Sequence, residues 1–198
     1  MTTLKVQRRN METKAKKLRR EGFVTGNLFG KAIEGSIPLK MDRFEVERLL
    51  KTDHKGSQIM LDVDGQSYDV LIKEIQFNPL KGQVDEIDFQ ALVSNEKVHS
   101  VAEIVLVNHD KLEAGVLQQH LEEISFRALP SALVDKIMVD VGDMKVGDVI
   151  KVKDLAIAQD KDVDLKTDLE AAVVSVAAVH VDPVLEAEEE AAAEEEAK

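Results

Sequence analysis

The sequence predicts a mainly β protein of the α+β class, with a small N-terminal β-barrel, a second β-rich domain and an acidic tail. Short segments with alternating apolar and polar residues recur along the chain, separated by Gly, Asn, Asp or Pro. Helical spacing is confined to one or two segments, so the barrel is expected to carry one or two helices. The 198 residues exceed the usual size of one domain and can build two modest cores.

Charge divides the chain into two halves. Residues 1–93 contain 16 basic and 14 acidic residues, whereas residues 94–198 contain 10 basic and 24 acidic residues. This split predicts two units with different partners. We expect a barrel domain over residues 1–93, an acidic β-rich domain over 94–181 and a disordered Glu/Ala-rich tail over 182–198.

The N-terminal unit reads as strands at short intervals with one clear helix. Asp42 is the expected N-cap of this helix, and Phe44, Val46, Leu49 and Leu50 form its apolar stripe. Residues 12–21 have the composition of a short basic helix or an ordered loop. The expected strands, which together suggest a small antiparallel barrel, are residues 4–7, 24–29, 36–41, 59–63, 67–77 and 84–93.

One hairpin and one strand orientation are predicted in more detail. Asp64-Gly65 lies between two alternating segments, and this dipeptide favours a type I′ turn, in which both central residues have positive φ. In the strand over 84–93, the period of two places Ile87 on one face and Glu86 with Asp88 on the other.

The second unit is also expected to be mainly β. Strands are predicted at residues 98–107 and 171–181, and a further pair at 136–141 and 148–152 flanks a turn that holds Gly142 and Gly147. Residues 116–121 fit either a helix or a strand.

The composition excludes several classes of protein. Cysteine is absent, which rules out disulfides and thiolate metal sites, and the five His residues show no ligand spacing. No Walker loop or Gly-x-Ser-x-Gly elbow occurs. No apolar stretch approaches the roughly 20 residues of a membrane span. We therefore expect a soluble cytoplasmic protein that is not an enzyme and holds no metal or cofactor.

Basic residues are concentrated near the N-terminus. The first 31 residues contain nine Lys or Arg and two acids, although the net charge of the chain is −12. A dense local cluster can neutralise several phosphates, but such a cluster is equally typical of a solvated helix face. Gln76 and Asp88 could add directional donors and acceptors beside it, although Gln76 alone fits an ordinary solvent-facing strand residue.

The order and spacing of several motifs resemble one known family. These are bacterial large-subunit ribosomal proteins that bind 5S rRNA, the L-twenty-five family, in the longer two-domain form known as general stress protein CTC. The resemblance runs from about residue 4 to about residue 181. The segments that carry it are 16–24, 28–30, 62–65, 70–76, 79–82, 87–89, 139–141, 146–148 and 153–155.

The resemblance implies a non-catalytic ribosomal protein whose barrel binds the loop E region of 5S rRNA. Residues 94–181 would contact neighbouring ribosomal proteins, and the protein would be monomeric off the ribosome. The alternative is a ribosome-derived stress or interaction protein with weakened RNA binding, whose acidic domain engages a protein. The expected RNA-binding residues are Arg8, Arg9, Lys14, Lys16, Lys17, Arg19, Arg20, Phe29, Gln76 and Asp88.

Several positions depart from the family pattern. Glu86 stands where the family usually has His, and an acid there cannot donate to phosphate or sugar and would repel phosphate without a counter-charge. Met11-Glu12 replaces Gly-Lys, Phe29 replaces Tyr, Thr25 replaces Pro and Ala114 replaces Gly. These differences predict weaker or altered RNA contact with an unchanged fold.

Overall fold

The computed structural model describes residues 2–31, 33–111, 115–160 and 162–178. The predicted tail over 182–198 lies outside the described residues. Six strands of the N-terminal half form a closed barrel, confirming the predicted architecture. In chain order its elements are β1 (Thr3–Arg8), α1 (Ala15–Arg20), β2 (Phe23–Phe29), β3 (Ser36–Asp42), α2 (Arg43–Leu49), β4 (Gln58–Val63), β5 (Gln66–Asn78) and β6 (Gln83–Ala91).

The barrel is not purely antiparallel, and in this respect the prediction is wrong. The strand order is β1-β3-β2-β6-β5-β4, and the β1–β4 and β2–β6 pairs are parallel. Hairpin signals report only on strands that follow each other closely in sequence, and those pairs are antiparallel as expected. The two parallel pairs join strands that are distant in sequence, so no local pattern specifies their direction.

The barrel core follows the predicted alternation. Ile87 and Phe89 of β6 are fully buried, whereas Glu86 and Asp88 lie on the outer face. The turn between β4 and β5 has φ of 51° at Asp64 and 92° at Gly65, as the type I′ prediction requires. Side chains therefore alternate along each strand between the core and the surface of the barrel.

Helix α2 packs its apolar side against the barrel. The Asp42 carboxylate accepts hydrogen bonds from the N–H groups of Phe44 at 2.9 Å and Glu45 at 3.4 Å, which confirms the cap. Val46 and Leu49 are buried, but Phe44 is 78% exposed and does not belong to the stripe. At about 100° per residue, Phe44 lies on the side of the helix opposite Val46 and Leu49.

The second half of the chain forms two further sheets. The strand order is β10-β7-β9-β12 in one sheet and β11-β13-β8 in the other. Residues of both sheets share one hydrophobic cluster that includes Ile124, Phe126, Val173 and Val174. The strands are β7 (Val98–Val107), β8 (Val116–Gln119), β9 (Glu123–Ala128), β10 (Lys136–Asp140), β11 (Val149–Lys151), β12 (Val163–Leu165) and β13 (Ala172–Ala177).

The strands of the second half only partly match those expected from the sequence. Residues 116–119 form a strand, which resolves the choice left open between helix and strand. Strands β10 and β11 do not pair across their turn, because β10 pairs with β7 and β11 pairs with β13. The short strand β12 was not predicted, since three residues are too few to show a period. Residues 179–181 of the predicted last strand lie outside the described part of the chain.

The barrel contacts strand β7 of the second half directly. A Cβ added to Gly56 would lie 2.0 Å from the Val101 carbonyl oxygen, so the two backbones meet closely. Lys73 Nζ donates to the His99 carbonyl at 2.8 Å, and burial together with the charge of Lys55 lowers the pKa of Lys73. Lys55 also forms an ion pair with Glu123 at 2.9 Å. These contacts hold the barrel and the second β-rich unit against each other.

Strand β2 approaches β6 so closely that Gly26 has no room for a side chain. A Cβ at Gly26 would lie 1.9 Å from the Ile87 carbonyl oxygen. We expect Gly26→Ala to lower the free energy of unfolding by about 3 kcal/mol or more, because backbone atoms must move apart. Urea denaturation followed by circular dichroism would measure this.

The matched control is Gly65→Ala. Gly65 has positive φ, but an added Cβ would meet no atom within 4 Å, so only backbone strain of about 1 kcal/mol is expected. Equal losses for the two variants would contradict a close β2–β6 approach.

Candidate nucleic-acid interface

The outer face of the barrel brings several predicted site residues into register. Gln76 of β5 lies opposite Glu86 of β6, and Glu86 lies opposite Thr25 of β2. Thr25 in turn lies opposite Lys40 of β3. These four residues form the first row of what we call the outer face, which runs from β5 across β6 and β2 to β3. Thr25 points to this side of the barrel but is covered, with 1% exposure.

A second row lies beside the first. Asp88 pairs with Glu74 on one side and with Asn27 on the other, and Asn27 pairs with Pro38. The Arg9 N–H donates to the Pro38 carbonyl at 2.9 Å, which places Arg9 at the end of this row.

One predicted site residue lies in a further row and another lies off the face. Phe29 is opposite Gln90, one row beyond Asp88. Arg8 stands opposite Leu39, whose side chain is in the core, so the alternation of β1 directs Arg8 away from the outer face. Arg8 is nevertheless exposed at the end of its strand.

Helix α1 packs beside the first row and carries most of the basic run. Leu18 is 5% exposed and anchors the helix on the barrel. Lys16, Lys17 and Arg20 are exposed, as is Lys14 just before the helix. Lys17 has a long, exposed contact of 3.8 Å with Glu21, which contributes little energy. The cations of α1 thus lie along one edge of the outer face.

Arg19 differs from the other basic residues of α1 because its side chain turns toward the barrel. Its Nε donates to the Asp85 carbonyl at 3.0 Å, and its Nη2 donates to Thr25 Oγ1 at 3.1 Å. The same Nη2 lies 3.3 Å from Glu86 Oε2. Glu86 therefore has a counter-charge within the protein, which the sequence alone did not indicate.

A β-bulge explains why the Asp85 carbonyl can accept from Arg19. Gln76 pairs with Glu86 and the next residue, Phe77, pairs with Val84, so the register skips Asp85. A bulged residue is displaced from the ladder, and its backbone groups become available to other partners. Thr25 Oγ1 also donates to the Asp85 carbonyl, at 3.3 Å.

Asp88 holds the neighbouring strand β2. Its Oδ1 accepts from the Asn27 N–H at 3.0 Å and from Asn27 Nδ2 at 3.2 Å. The carboxylate therefore has a structural role in addition to any contact with a ligand, and one side of it faces Asn27. Asp88 is half-buried, whereas Gln76 is exposed.

The sequence did not reveal the residues that support this surface. Thr25, Asn27 and the Asp85 carbonyl contribute through pairs of strands that are parallel and distant in sequence. Only the β2–β6 register brings them next to Arg19 and Asp88. Arg9 Nη2 donates to the Thr13 carbonyl at 3.0 Å, which likewise shapes the loop before α1.

The surface has the chemistry of a nucleic-acid interface. Exposed cations along its edge can neutralise phosphates, and amide and carboxylate groups on the sheet can hydrogen-bond to base edges. Within the residues described, no group of three or more His, Asp or Glu is arranged to hold a metal. None of the described helices has the length and apolar character needed to cross a membrane.

Two family models match the chain in succession. The Ribosomal L25p family matches residues 4–89, which contain the whole barrel apart from Thr3 at its start and Gln90 and Ala91 at its end. The C-terminal domain of ribosomal protein TL5 matches residues 97–180.

Curated relatives cover most of the chain. The large ribosomal subunit protein bL25 of a Thermoanaerobacter species is 31% identical over 87% of this chain and 86% of its own length. The bL25 protein of Listeria monocytogenes is 32% identical over 89% of this chain and 86% of its length. That of Geobacillus thermodenitrificans is 34% identical over 71% and 67%.

The β-barrel and the second β-rich unit thus match, in the same order, two domain families of ribosomal proteins. The chain belongs to the bL25 family of large-subunit ribosomal proteins, in the two-domain CTC form. The family predicted from the sequence motifs is thereby confirmed, as is the prediction of a ribosome-associated protein that is not an enzyme.

The Asp88 carboxylate is expected to stabilise the barrel even without RNA. We expect Asp88→Ala to lower the free energy of unfolding by about 1–2 kcal/mol, because the Asn27 N–H loses its acceptor in a half-buried site. Chemical denaturation of the RNA-free protein would test this. The control is Gln76→Ala at an exposed position, expected to change stability by no more than about 0.5 kcal/mol. A neutral Asp88→Ala variant would contradict the structural role.

Proposed function

We propose that the chain binds 5S rRNA through the outer face and the basic edge formed by α1 and the loop before it. The observation that carries this proposal is the placement of exposed Lys14, Lys16, Lys17 and Arg20 beside a sheet face that presents Gln76. Family membership supports an RNA target within the large subunit.

Electrostatics favours a local rather than a general attraction to RNA. The net charge of the chain is −12, so phosphate is repelled at long range. At physiological salt, screening limits the reach of an exposed charge to about 8–10 Å. Close to α1, attraction of phosphate by the cations of the helix therefore exceeds repulsion by distant acids. RNA would therefore bind at the barrel and not at the acidic second half.

The polar groups of the outer face suit RNA. The minor groove of an A-form helix is wide and shallow, and it displays 2′-hydroxyls and base edges that such groups can reach. In this proposal Lys16, Lys17 and Arg20 contact phosphates, and Gln76 contacts base or ribose groups. The Asp88 carboxylate accepts hydrogen bonds from the RNA in addition to those from Asn27. Phe29 contributes an aromatic surface in the row beyond Asp88.

The second half of the chain is proposed to contact protein. Residues 94–181, the proposed acidic domain, carry an excess of carboxylates that opposes RNA and suits basic ribosomal proteins next to the 5S rRNA site. The proposed domain boundary lies between residues 93 and 94. Off the ribosome the protein is proposed to be a monomer.

The full-length protein should bind 5S rRNA with a strong dependence on salt. If about four to six phosphates are neutralised, the logarithm of the association constant should fall with the logarithm of salt concentration with a slope of about −3 to −5. Filter binding or fluorescence anisotropy over a salt series would measure the slope. An unrelated RNA hairpin of equal length is the control. A flat salt response, or equal affinity for both RNAs, would refute the proposal.

Gln76 should contribute to discrimination more than to general affinity. We expect Gln76→Ala to lower the preference for 5S rRNA over a variant with an altered internal loop by about fivefold, the worth of one hydrogen bond of about 1 kcal/mol. Affinity for the unrelated hairpin should not change. Lys16→Ala is the matched comparison, because loss of a phosphate contact weakens binding to all RNAs alike. The same uniform loss for Gln76→Ala would exclude it from base recognition.

A further inference from the structure

Arg19 is the most buried cation of the basic helix. Its side chain is 27% exposed, and its guanidinium bridges from α1 to the Asp85 carbonyl, Thr25 Oγ1 and Glu86 Oε2. Thr25 is 1% exposed, so the far end of this network lies under the helix. The planar fork of Arg matches several fixed acceptors at once, which an ammonium group cannot do.

The charge of Arg19 is balanced within the protein. Glu86 lies 3.3 Å from Nη2 and is itself 27% exposed, so the two charges offset each other in a partly desolvated site. A cation in such a pair attracts phosphate much less than a solvated one does. Glu86, which departs from the family pattern, is the residue that supplies the carboxylate.

Helix α1 needs an anchor because it cannot be stable alone. It has six residues, and its N-cap Lys14 makes no side-chain capping hydrogen bond. Isolated helices shorter than about 12 residues are marginal in water, so tertiary contacts must hold this one. Leu18 supplies an apolar contact with the barrel. This contact fixes the distance of α1 from the barrel but not the rotation of α1 about its own axis. The directional bonds of Arg19 fix that rotation.

We propose that Arg19 is a positioning residue, which locks α1 onto the bulge at Asp85 through Thr25 and Glu86 and does not itself contact RNA. The lock orients Lys16, Lys17 and Arg20 toward the phosphates. This inference rests on the proposed binding of 5S rRNA and assigns a different role to one of its expected contact residues.

Two variants of the full-length protein separate positioning from phosphate contact. Arg19→Lys keeps the charge but loses the fork, and Thr25→Val keeps the shape of a side chain that RNA cannot reach but removes its hydroxyl. Each should weaken 5S rRNA binding by about fivefold, the effect of about one lost hydrogen bond. Circular dichroism must show both variants fully folded at the assay temperature, so that the loss is not one of global stability.

The matched control is Arg20, an exposed neighbour on the same helix. Arg20→Lys should stay within about twofold of the wild type, and Arg20→Ala should reduce the steepness of the salt slope by about 0.7–0.9, the value of one phosphate. The double variant Arg19→Lys with Thr25→Val should bind no more weakly than either single variant, because both changes break the same lock.

A direct contact gives the opposite pattern. If Arg19 binds phosphate, Thr25→Val binds like the wild type, whether or not Arg19→Lys retains its affinity. That result would overturn the inference. So would additive losses in the double variant.

Hydrogen exchange of the RNA-free protein separates this inference from the proposed function. Amides of residues 15–21 should exchange faster in Arg19→Lys and Thr25→Val than in Arg20→Lys. If the wild type shows no preference for 5S rRNA, the proposed function fails, and the exchange data still decide whether the lock exists. Unchanged exchange in both variants would refute it.

Discussion

The parallel pairing of β2 with β6 is the constraint on which the candidate interface depends. The two backbones meet so closely at Gly26 and Ile87 that a side chain cannot fit between them. This pairing closes the barrel on the side of α1 and sets Thr25 beside Glu86 and Asn27 beside Asp88. The hydrogen bonds of Asp88 cross this strand pair, and those of Arg19 run from α1 to acceptors on both of its strands, so its register determines which polar groups meet there.

Neighbouring cations on this surface have different environments. Four neighbouring cations belong to one short segment, yet Lys16, Lys17 and Arg20 are exposed while Arg19 turns inward to Glu86. An acid that would oppose RNA as an isolated group instead offsets the charge of a partly buried cation of its own protein. The replacement of the family's His by Glu86 is therefore linked, through Arg19, to the orientation of α1.

The second β-rich unit is tied to the barrel by polar contacts around β7. Lys73 and Lys55 reach across to His99 and Glu123, while Gly56 permits close approach of the backbones. Burial is the main cause that raises the pKa of Asp135, which lies near Asp53, and the negative charge of Asp53 adds to it. On the barrel, these contacts involve the segment before β4 and Lys73 of β5, whereas Arg19 of α1 contacts β2 and β6.

By itself the sequence determined the barrel strands, the Asp64-Gly65 turn, the Asp42 cap and the separation of Ile87 from Glu86, because each depends on neighbours within a few residues. It also showed where the basic run lies and, through its motifs, to which family the chain belongs. Tertiary structure alone decided that two strand pairs are parallel and that β10 pairs with β7. It also decided that Arg19 meets Glu86 across 67 positions of sequence. Such contacts follow from the closure of the barrel, and local periodicity carries no information about which distant strands will meet.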